Sequence, residues 1–450
     1  MAFGLFGAVL FILSGAPIDF LVKIAGIAPT SGLGIFWTPI LVMAAIGLLF
    51  HPGKIIRAAF RAPPVVFMVG AIALSCLWSI DPATSIKNTM FFFASVVGAF
   101  YVSQRFSLVE ILNVFAVLFG GLAVVSTVLA LGLPQIGTMQ EIHVGAWNGV
   151  WVDKNTMGGF FAMGFGLAVA RFAVTPSSWL TSLPLGLISL AMVLMTTSKT
   201  ALVGLLLILA VAMGVFIMRR GPVIAAMFVW LSTMTIAALV AIMIFAPGIL
   251  FGLLNRDATL TSRTIIWTAT ERLIEQRPVK GFGFDAVWGD QSASGPVVAV
   301  HQEVHFKPTN AHSSWMDARL ETGIPGLATL ILMAGFALIA ALWSIPRSKS
   351  AYWTLPTLVM LLQSSFTEST LVNAHGTESF LFILLTVLAA SSGRMKQSPV
   401  PQQMAAPVPA PVPFMPAPFP PLPPVPVFVQ PPSSARLAER LYRITHPIPQ

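Results

Sequence analysis

The chain has 450 residues, 56% hydrophobic and only 9% charged, with a formal net charge of +9. Soluble domains run at about 45–50% apolar and about 25% charged, so the composition argues against a soluble enzyme, a disordered protein and a nucleic-acid-binding module. The single cysteine, Cys76, rules out an intrachain disulfide and a cysteine-based metal site.

A membrane-spanning helix needs about 17–25 mostly apolar residues. Runs of this kind predict twelve spans, at 4–22, 34–50, 64–80, 88–103, 110–132, 156–174, 181–197, 200–218, 222–246, 324–343, 352–367 and 377–391. The expected fold is therefore all-α, a polytopic transmembrane helix bundle of about twelve spans, with a large outer loop containing short helices. The first run, Phe3 to Phe20, has no positively charged start and no small-residue cleavage site, and reads as a retained span.

An even number of crossings places both termini on one side. Loops of one face carry Lys54, Arg57, Arg61, Arg105, Arg171, Arg219, Arg220, Arg347, Lys349, Arg394 and Lys396, whereas short loops of the other carry only Lys23, Lys87, Lys154 and Lys199. Short cytoplasmic loops are enriched in Lys and Arg, so the first face and both termini are expected in the cytoplasm. The pI of about 10.1 then reflects orientation and attraction to anionic inner-leaflet lipid.

The longest non-membrane stretch, 247–323, falls on the outer face. Within it, Thr261 to Pro278 predicts an amphipathic helix, with Ser262 as N-cap, Ile266, Leu273 and Ile274 on one face, and Pro278 as terminator. Gly281, Gly283 and Asp285 in K-G-F-G-F-D mark a tight turn. A shorter outer loop, 133–155, holds His143 and V-D-K-N. The domain reading is a membrane domain over 1–397 and a proline-rich cytoplasmic tail over 398–450, largely disordered. That tail holds 17 of the 35 prolines, which favours extended polyproline II without a packed core. It reads equally as a docking strip or a semi-rigid linker; its last stretch, S-A-R-L-A-E-R-L-Y-R, reads as a short basic helix on the inner leaflet.

Ion pathways need ionisable groups inside the membrane. Asp19, Glu110, Glu368 and Glu378 all lie near predicted span ends, so chemistry is expected at the outer surface. Topology gathers there Asp153, Lys154 and Asn155; Ser198, Lys199 and Thr200; Arg263, Arg272, Lys280 and Asp285; Asn310, His312, Ser313 and Ser314; and Glu368, Asn373 and His375. Lys199, between two helix ends and beside the capping residue Ser198, suits a phosphate, because helix N-termini favour anions; it equally suits a lysine snorkelling at the membrane edge. Arg263 opposes the dipole of its own helix start, which points to retention for a ligand. His312 is a natural general base near neutral pH. His301 and His305, four apart, admit a metal reading with His312, but H-Q-E-V-H departs from the zinc-protease pattern and no fourth ligand is in view.

In order along the chain stand V-D-K-N, S-K-T, S-R-T-x-x-W followed by P-V-K-G-F-G-F, and N-A-H-S-S-W before E-T-G-I-P-G. This set, over roughly residues 30–390, resembles the O-antigen ligase and bacterial polysaccharide polymerase superfamily, and most of all its Wzy-type exopolysaccharide-polymerase branch. Two departures stand out. The family usually has Arg where this chain has Lys199, and writes its motif His-Asn where Asn310 here precedes His312.

The resemblance implies a glycosyltransferase at the periplasmic face of a bacterial inner membrane. It would join polyprenyl-pyrophosphate-linked oligosaccharide repeat units by direct, inverting, metal-independent transfer, without a cofactor. It implies Lys199 and Arg263 on the pyrophosphate, His312 as base, and Lys154, Asn155, Ser198, Lys280, Asn310, Ser313 and Trp267 in substrate binding. Trp288 and Trp315 could also stack on sugars, although interfacial anchoring is the usual role of Trp. A ligase acting on an acceptor such as lipid A-core fits the same motifs; a transporter or flippase is the reading from another class. Expected partners are the lipid-linked oligosaccharide, membrane lipids and, through the tail, a chain-length regulator or export complex, with no nucleic acid.

Overall fold

The computed structural model describes residues 2–26, 36–141, 143–245, 261–288, 295–304 and 308–392. Its regular elements among these residues are helical, apart from one isolated antiparallel bridge between Thr138 and Trp147. The helices are α1 (Ala2–Leu13), α2 (Ala16–Ala25), α3 (Thr38–Phe50), α4 (Pro52–Arg61), α5 (Pro63–Ser75), α6 (Pro82–Arg105), α7 (Leu108–Gly132), α8 (Pro134–Gly137), α9 (Lys154–Val174), α10 (Trp179–Met195), α11 (Lys199–Met218), α12 (Pro222–Phe245), α13 (Thr261–Gln276), α14 (Pro296–Val304), α15 (Ser314–Ser344), α16 (Ala351–Ser364) and α17 (Thr377–Ala390).

Their starts follow local chemistry. Proline occupies the first turn of α2 to α6, where its missing N–H costs nothing. Asp81, Ser107, Asp153 and Ser198 cap α6, α7, α9 and α11 through their side chains, and Ser107 with Glu110 completes a reciprocal capping box.

The protein is a multi-pass membrane protein. Among the described residues six helices are long and apolar enough to cross a bilayer: α6, α7, α9, α10 with its leading turn, α11 and α15. Counting the bent pairs α1–α2 (50°) and α3–α4 (100°) as one crossing each raises the number to eight. The twelve crossings expected from hydropathy are therefore not reached by length. The 4–22 run is broken at Gly15, which adopts a left-handed φ of 71°. Residues 52–61, expected as a cytoplasmic loop, form the amphipathic α4, which buries Ile55 and Ala58. The runs at 64–80, 352–367 and 377–391 supply helices of only 13, 14 and 14 residues.

α17 is one of these shorter apolar helices. It is apolar, yet nearly every residue from Ser379 to Ala389 is buried, with α6, α15 and α16 packed around it. A helix that is hydrophobic all round belongs either to lipid or to the middle of a protein, and this one is in the middle. α9 packs on α7, α10, α11 and α16, and α15 packs on α5, α16 and α17. Large exposed apolar residues, among them Leu49, Phe50, Phe60, Val117 and Val128, form the outer surface that lipid would cover.

The stretch expected as the long outer loop builds a second, smaller core. Ile266, Leu273 and Ile274 of α13 are buried as the periodicity predicts, and pack with Phe282, Val287, Val297, Val300 and Leu320. The helix begins at Thr261, one residue before the expected cap Ser262. The proline-rich tail, His305 and residues 246–260 lie outside the described residues.

Two glycine motifs prove to be one structural unit. Gly323 breaks α15 at φ 68°, ψ −156°, a conformation open essentially to glycine alone. The turn K-G-F-G-F lies against that break. Phe282 N donates to Leu320 O at 2.9 Å, Gly283 N to Glu321 O at 2.8 Å and Ile324 N to Val279 O at 3.1 Å. A methyl group on Gly281 would sit 2.6 Å from the Glu321 carbonyl, so the backbones touch where a side chain would stand. G-F-G-F and E-T-G-I-P-G thus hold the outer subdomain onto the bundle.

Candidate active site

The first half of the site is a corner between two helix starts. Asp153 accepts from the N–H groups of Asn155 (2.7 Å) and Thr156 (3.1 Å), which fixes where α9 begins. Ser198 Oγ donates to Asn155 Oδ1 at 2.9 Å and accepts from Ala201 N at 3.4 Å, capping α11. Lys154 is buried and donates from Nζ to Thr197 Oγ1 at 3.2 Å, across the turn that carries Lys199. Lys199 itself is exposed, and its charge and that of Lys154 act on each other. Among the described residues no carboxylate pairs with either lysine. Asp153 acts on Lys154 from the α9 cap but forms no ion pair with it, and two cations at helix N-termini make a corner that can accept an anion.

The second half centres on Glu368, which follows α16. Its Oε1 accepts from Arg263 Nη2 at 2.5 Å, and its Oε2 lies 3.1 Å from His312 Nδ1. The three side chains are 19%, 34% and 21% exposed for Arg263, His312 and Glu368, so water screens them only in part. With Nδ1–H donating to the carboxylate, Nε2 of His312 is left as an acceptor; this follows from the contact, since a carboxylate behind an imidazole sets its tautomer.

Local backbone chemistry places His312. Its φ is 49°, unusual for a residue with a side chain, and Asn310 Oδ1 accepts from the His312 N–H at 2.9 Å to hold that turn. Asp317 accepts from Ala311 N at 3.1 Å, from Trp288 Nε1 at 3.0 Å and from Ser369 Oγ. Ser313 N donates to Ser369 Oγ at 3.2 Å. Ser314 Oγ donates to the Glu368 carbonyl at 3.1 Å and accepts from Thr370 N at 2.9 Å. The loops 310–314 and 368–371 are therefore stitched together, and the histidine and its carboxylate move as one piece.

A cavity of about 280 Å³ joins the two halves. Asn155, Thr200 and Ala201 line it from the lysine corner, and Asn310, Glu368 and Ser369 from the histidine loops. Asp19 of α2, His375 and Glu378 complete a polar wall. Lys23 of α2 donates to the carbonyls of Ile136 and Gly149, both at 2.9 Å, and so fixes the loop that leads into α9.

His375 lies between Trp37 and Phe91, with ring centroids at 4.1 and 5.1 Å. Its Nε2 is 3.3 Å from Asn88 Oδ1, and Asn88 Nδ2 donates to Asp285. Burial, with the nearby Lys87 charge adding to it, pushes the His375 imidazole down to about 4, so it is neutral at pH 7. Burial and then the charge of Asp317 push the Asp285 carboxyl up to about 6.

Of the residues singled out in the sequence, Lys154, Asn155, Ser198 and Lys199 share one corner, and Arg263, Asn310, His312 and Ser313 share the other. Trp267 joins the second group, donating from Nε1 to Ala311 O at 3.0 Å, next to His312. Of the predicted site residues only Asn155 and Asn310 line the cavity itself, and Lys154, Ser198, Lys199, Arg263, Trp267, Lys280, His312 and Ser313 do not; the Lys280 ammonium lies 5.7 Å from the Trp78 ring centroid, while its carbonyl accepts from Trp78 Nε1. Trp315 stacks on Phe366 and donates to Ser365. His301 is on α14. Sequence reasoning placed Glu368 and His375 on the outer face but gave them no role. The Glu368 signal was a carboxylate just past a span end, which acquires meaning only when its loop folds onto 310–314.

Residues 184–331 match the family model described as O-antigen ligase. The matched segment runs from α10 through the Ser198–Lys199 turn, α13 and the His312 loop to the broken helix α15. That segment resembles the O-antigen ligase and polysaccharide polymerase superfamily. It is also 21% identical over 324 residues to the Exopolysaccharide production protein ExoQ of Rhizobium meliloti (strain 1021), a match covering 68% of this chain and 72% of that protein. Glu368 and His375 lie beyond the segment matched to the O-antigen ligase model.

Proposed function

We propose that this protein is a membrane glycosyltransferase that polymerises polyprenyl-pyrophosphate-linked oligosaccharide repeat units into exopolysaccharide at the periplasmic face of the inner membrane. The observation that carries the reading is Glu368, in the wall of the cavity, gripping both Arg263 and His312, with Asn155, Thr200 and Ala201 in the same wall beside the lysine corner. An acceptor hydroxyl gives its proton to His312 Nε2 as its oxygen attacks the anomeric carbon. The bond from that carbon to the pyrophosphate oxygen breaks, and its electron pair leaves with polyprenyl pyrophosphate. Lys199, Lys154 and the Arg263 guanidinium meet the charge that develops there, and charge met by fixed cations lowers the barrier. A displacement of this kind inverts the anomeric centre.

Twelve crossings with both termini in the cytoplasm, a membrane domain over 1–397 and a separate proline-rich tail over 398–450 remain part of this proposal, as does a regulator or export complex docking on the tail. The description of the matching family model favours a second reading, transfer of the glycan to another acceptor such as lipid A-core. Purified protein supplied only with lipid-linked repeat units, without added metal or nucleotide, separates the two. A ladder of longer lipid-linked glycans supports polymerisation, and no ladder without a second acceptor supports ligation. His312→Ala should abolish the ladder while the protein still inserts in the membrane. A normal ladder from that variant removes the assignment of the base.

A further inference from the structure

The other end of α9 holds a cation that the proposed reaction does not use. Arg171 lies about 25 Å along the helix from Lys154, at 1.5 Å per residue. It opens on a cavity of about 180 Å³ lined with it by Asn113, Thr175, Ser177 and Ser178. Its guanidinium donates to Asn113 Oδ1 at 3.0 Å and to Thr181 Oγ1 at 3.3 Å, both neutral acceptors. Among the described residues no carboxylate pairs with it. Glu110, one turn before Asn113 on α7, is held in its own capping box, with Oε2 accepting from Ser107 N at 2.7 Å.

A second cation joins this end: Lys349 Nζ donates to the Val174 carbonyl at 3.3 Å. Among the described residues the cavity is lined by the hydroxyls of Thr175, Ser177 and Ser178 and by no acid. A half-buried guanidinium without a counter-charge is costly, and its remaining N–H donors call for an anion from outside the chain. The rim says where that anion comes from. Phe172, which follows Arg171, and Trp179 and Leu180, which follow the lining residue Ser178, are 54%, 52% and 66% exposed. Exposed Trp beside a cation and hydroxyls, at the end of a membrane-crossing helix, is the chemistry of a headgroup-level interface.

We propose that this cavity seats the phosphate of an anionic phospholipid, with Arg171 as its principal contact, Ser177 as hydroxyl donor and acyl chains against Phe172 and Trp179. The inference goes beyond the glycosyl-transfer reading and does not rest on it. The test is native mass spectrometry of the purified full-length protein in detergent, titrated with phosphatidylglycerol or phosphatidylcholine, and with inorganic phosphate as competitor. The wild type should hold phosphatidylglycerol in preference to phosphatidylcholine. Arg171→Gln should weaken that binding roughly tenfold, the scale of one charge-assisted contact, and Arg171→Lys should fall between. Arg347→Gln, which alters an exposed cation stacked on Trp343, should bind as the wild type does.

Should Arg171→Gln fail to fold, Ser177→Glu reads the same site, because a carboxylate at the exposed rim should expel the lipid. Equal binding of phosphatidylglycerol by wild type and variant, or no preference over phosphatidylcholine, overturns the proposal. Displacement of the lipid by millimolar inorganic phosphate would assign the seat to a free anion and overturn it as well.

Discussion

Replacing Glu368 with Gln is the sharpest perturbation of the proposed catalyst. The change conserves shape and removes one charge from a group that touches Arg263 at 2.5 Å and His312 at 3.1 Å. The loop should stay in place, because the backbone carbonyl of Glu368 is held by Ser314 Oγ and the neighbouring N–H groups by the same hydroxyl. Two things are lost. A hydrogen bond to a charged partner contributes about 1.5–3 kcal/mol, which at one such contact in the transition state is roughly 10–150-fold in rate. The amide can also turn its NH₂ toward His312 Nδ1, forcing the proton onto Nε2 and leaving the base in the wrong tautomer; loss of an orienting carboxylate behind a catalytic imidazole costs about 10⁴ in kcat in the best-studied triad. Elongation rates on purified lipid-linked repeat units should therefore fall by about 10²–10⁴ in kcat, with KM changed far less. A variant that stays folded and elongates within about threefold of the wild type would refute the idea that Glu368 orients the base.

Lys199→Arg should retain activity, since the charge is kept and the guanidinium adds a bidentate fork for phosphate, whereas Lys199→Ala should lose it; equal rates for both variants in the elongation assay would reduce Lys199 to a membrane-edge marker. Gly323→Ala should destabilise the protein by about 1–3 kcal/mol through backbone strain alone, with a further penalty because the new methyl would lie 2.1 Å from the Val279 carbonyl; a thermal midpoint unchanged in detergent would contradict the joint built from the two glycine motifs. The raised pKa of Asp285 means that the folded protein binds its proton more readily than the unfolded chain. That contribution to stability is present at low pH and is lost as pH rises through about 6. His375 acts in the opposite sense: its folded pKa of about 4 removes stability as pH falls from the unfolded value of 6.5 toward 4. Asp285→Asn, tolerated at a φ of 55° because Asn accepts left-handed backbone, should lose stability relative to wild type as pH falls from 7 to 4; a constant gap across that range would refute the assignment.

Composition and run length were enough to establish a helical membrane protein, because hydrocarbon admits only segments whose backbone is satisfied within themselves. Ser198 was legible as the cap of α11, and the 3.6-residue period identified the buried face of α13 through Ile266, Leu273 and Ile274. These are properties of residues a few positions apart, so the sequence displays them directly. What surrounds each apolar run was not legible in the same way. An apolar run such as α17 reads alike whether lipid or protein surrounds it, and only its packing among α6, α15 and α16 shows that protein does.

The site divides along the same line. Lys154, Lys199, Arg263 and His312 are visible as residue types in order on one face, but the contact between Glu368 and both Arg263 and His312 joins residues 105 and 56 positions apart. No local pattern encodes such a meeting. It depends on loops 310–314 and 368–371 closing on each other, and on the outer subdomain being fixed at Gly281 and Gly323, where the absence of two side chains lets backbone bond to backbone. Chain chemistry chose the groups; long-range packing decided which of them touch.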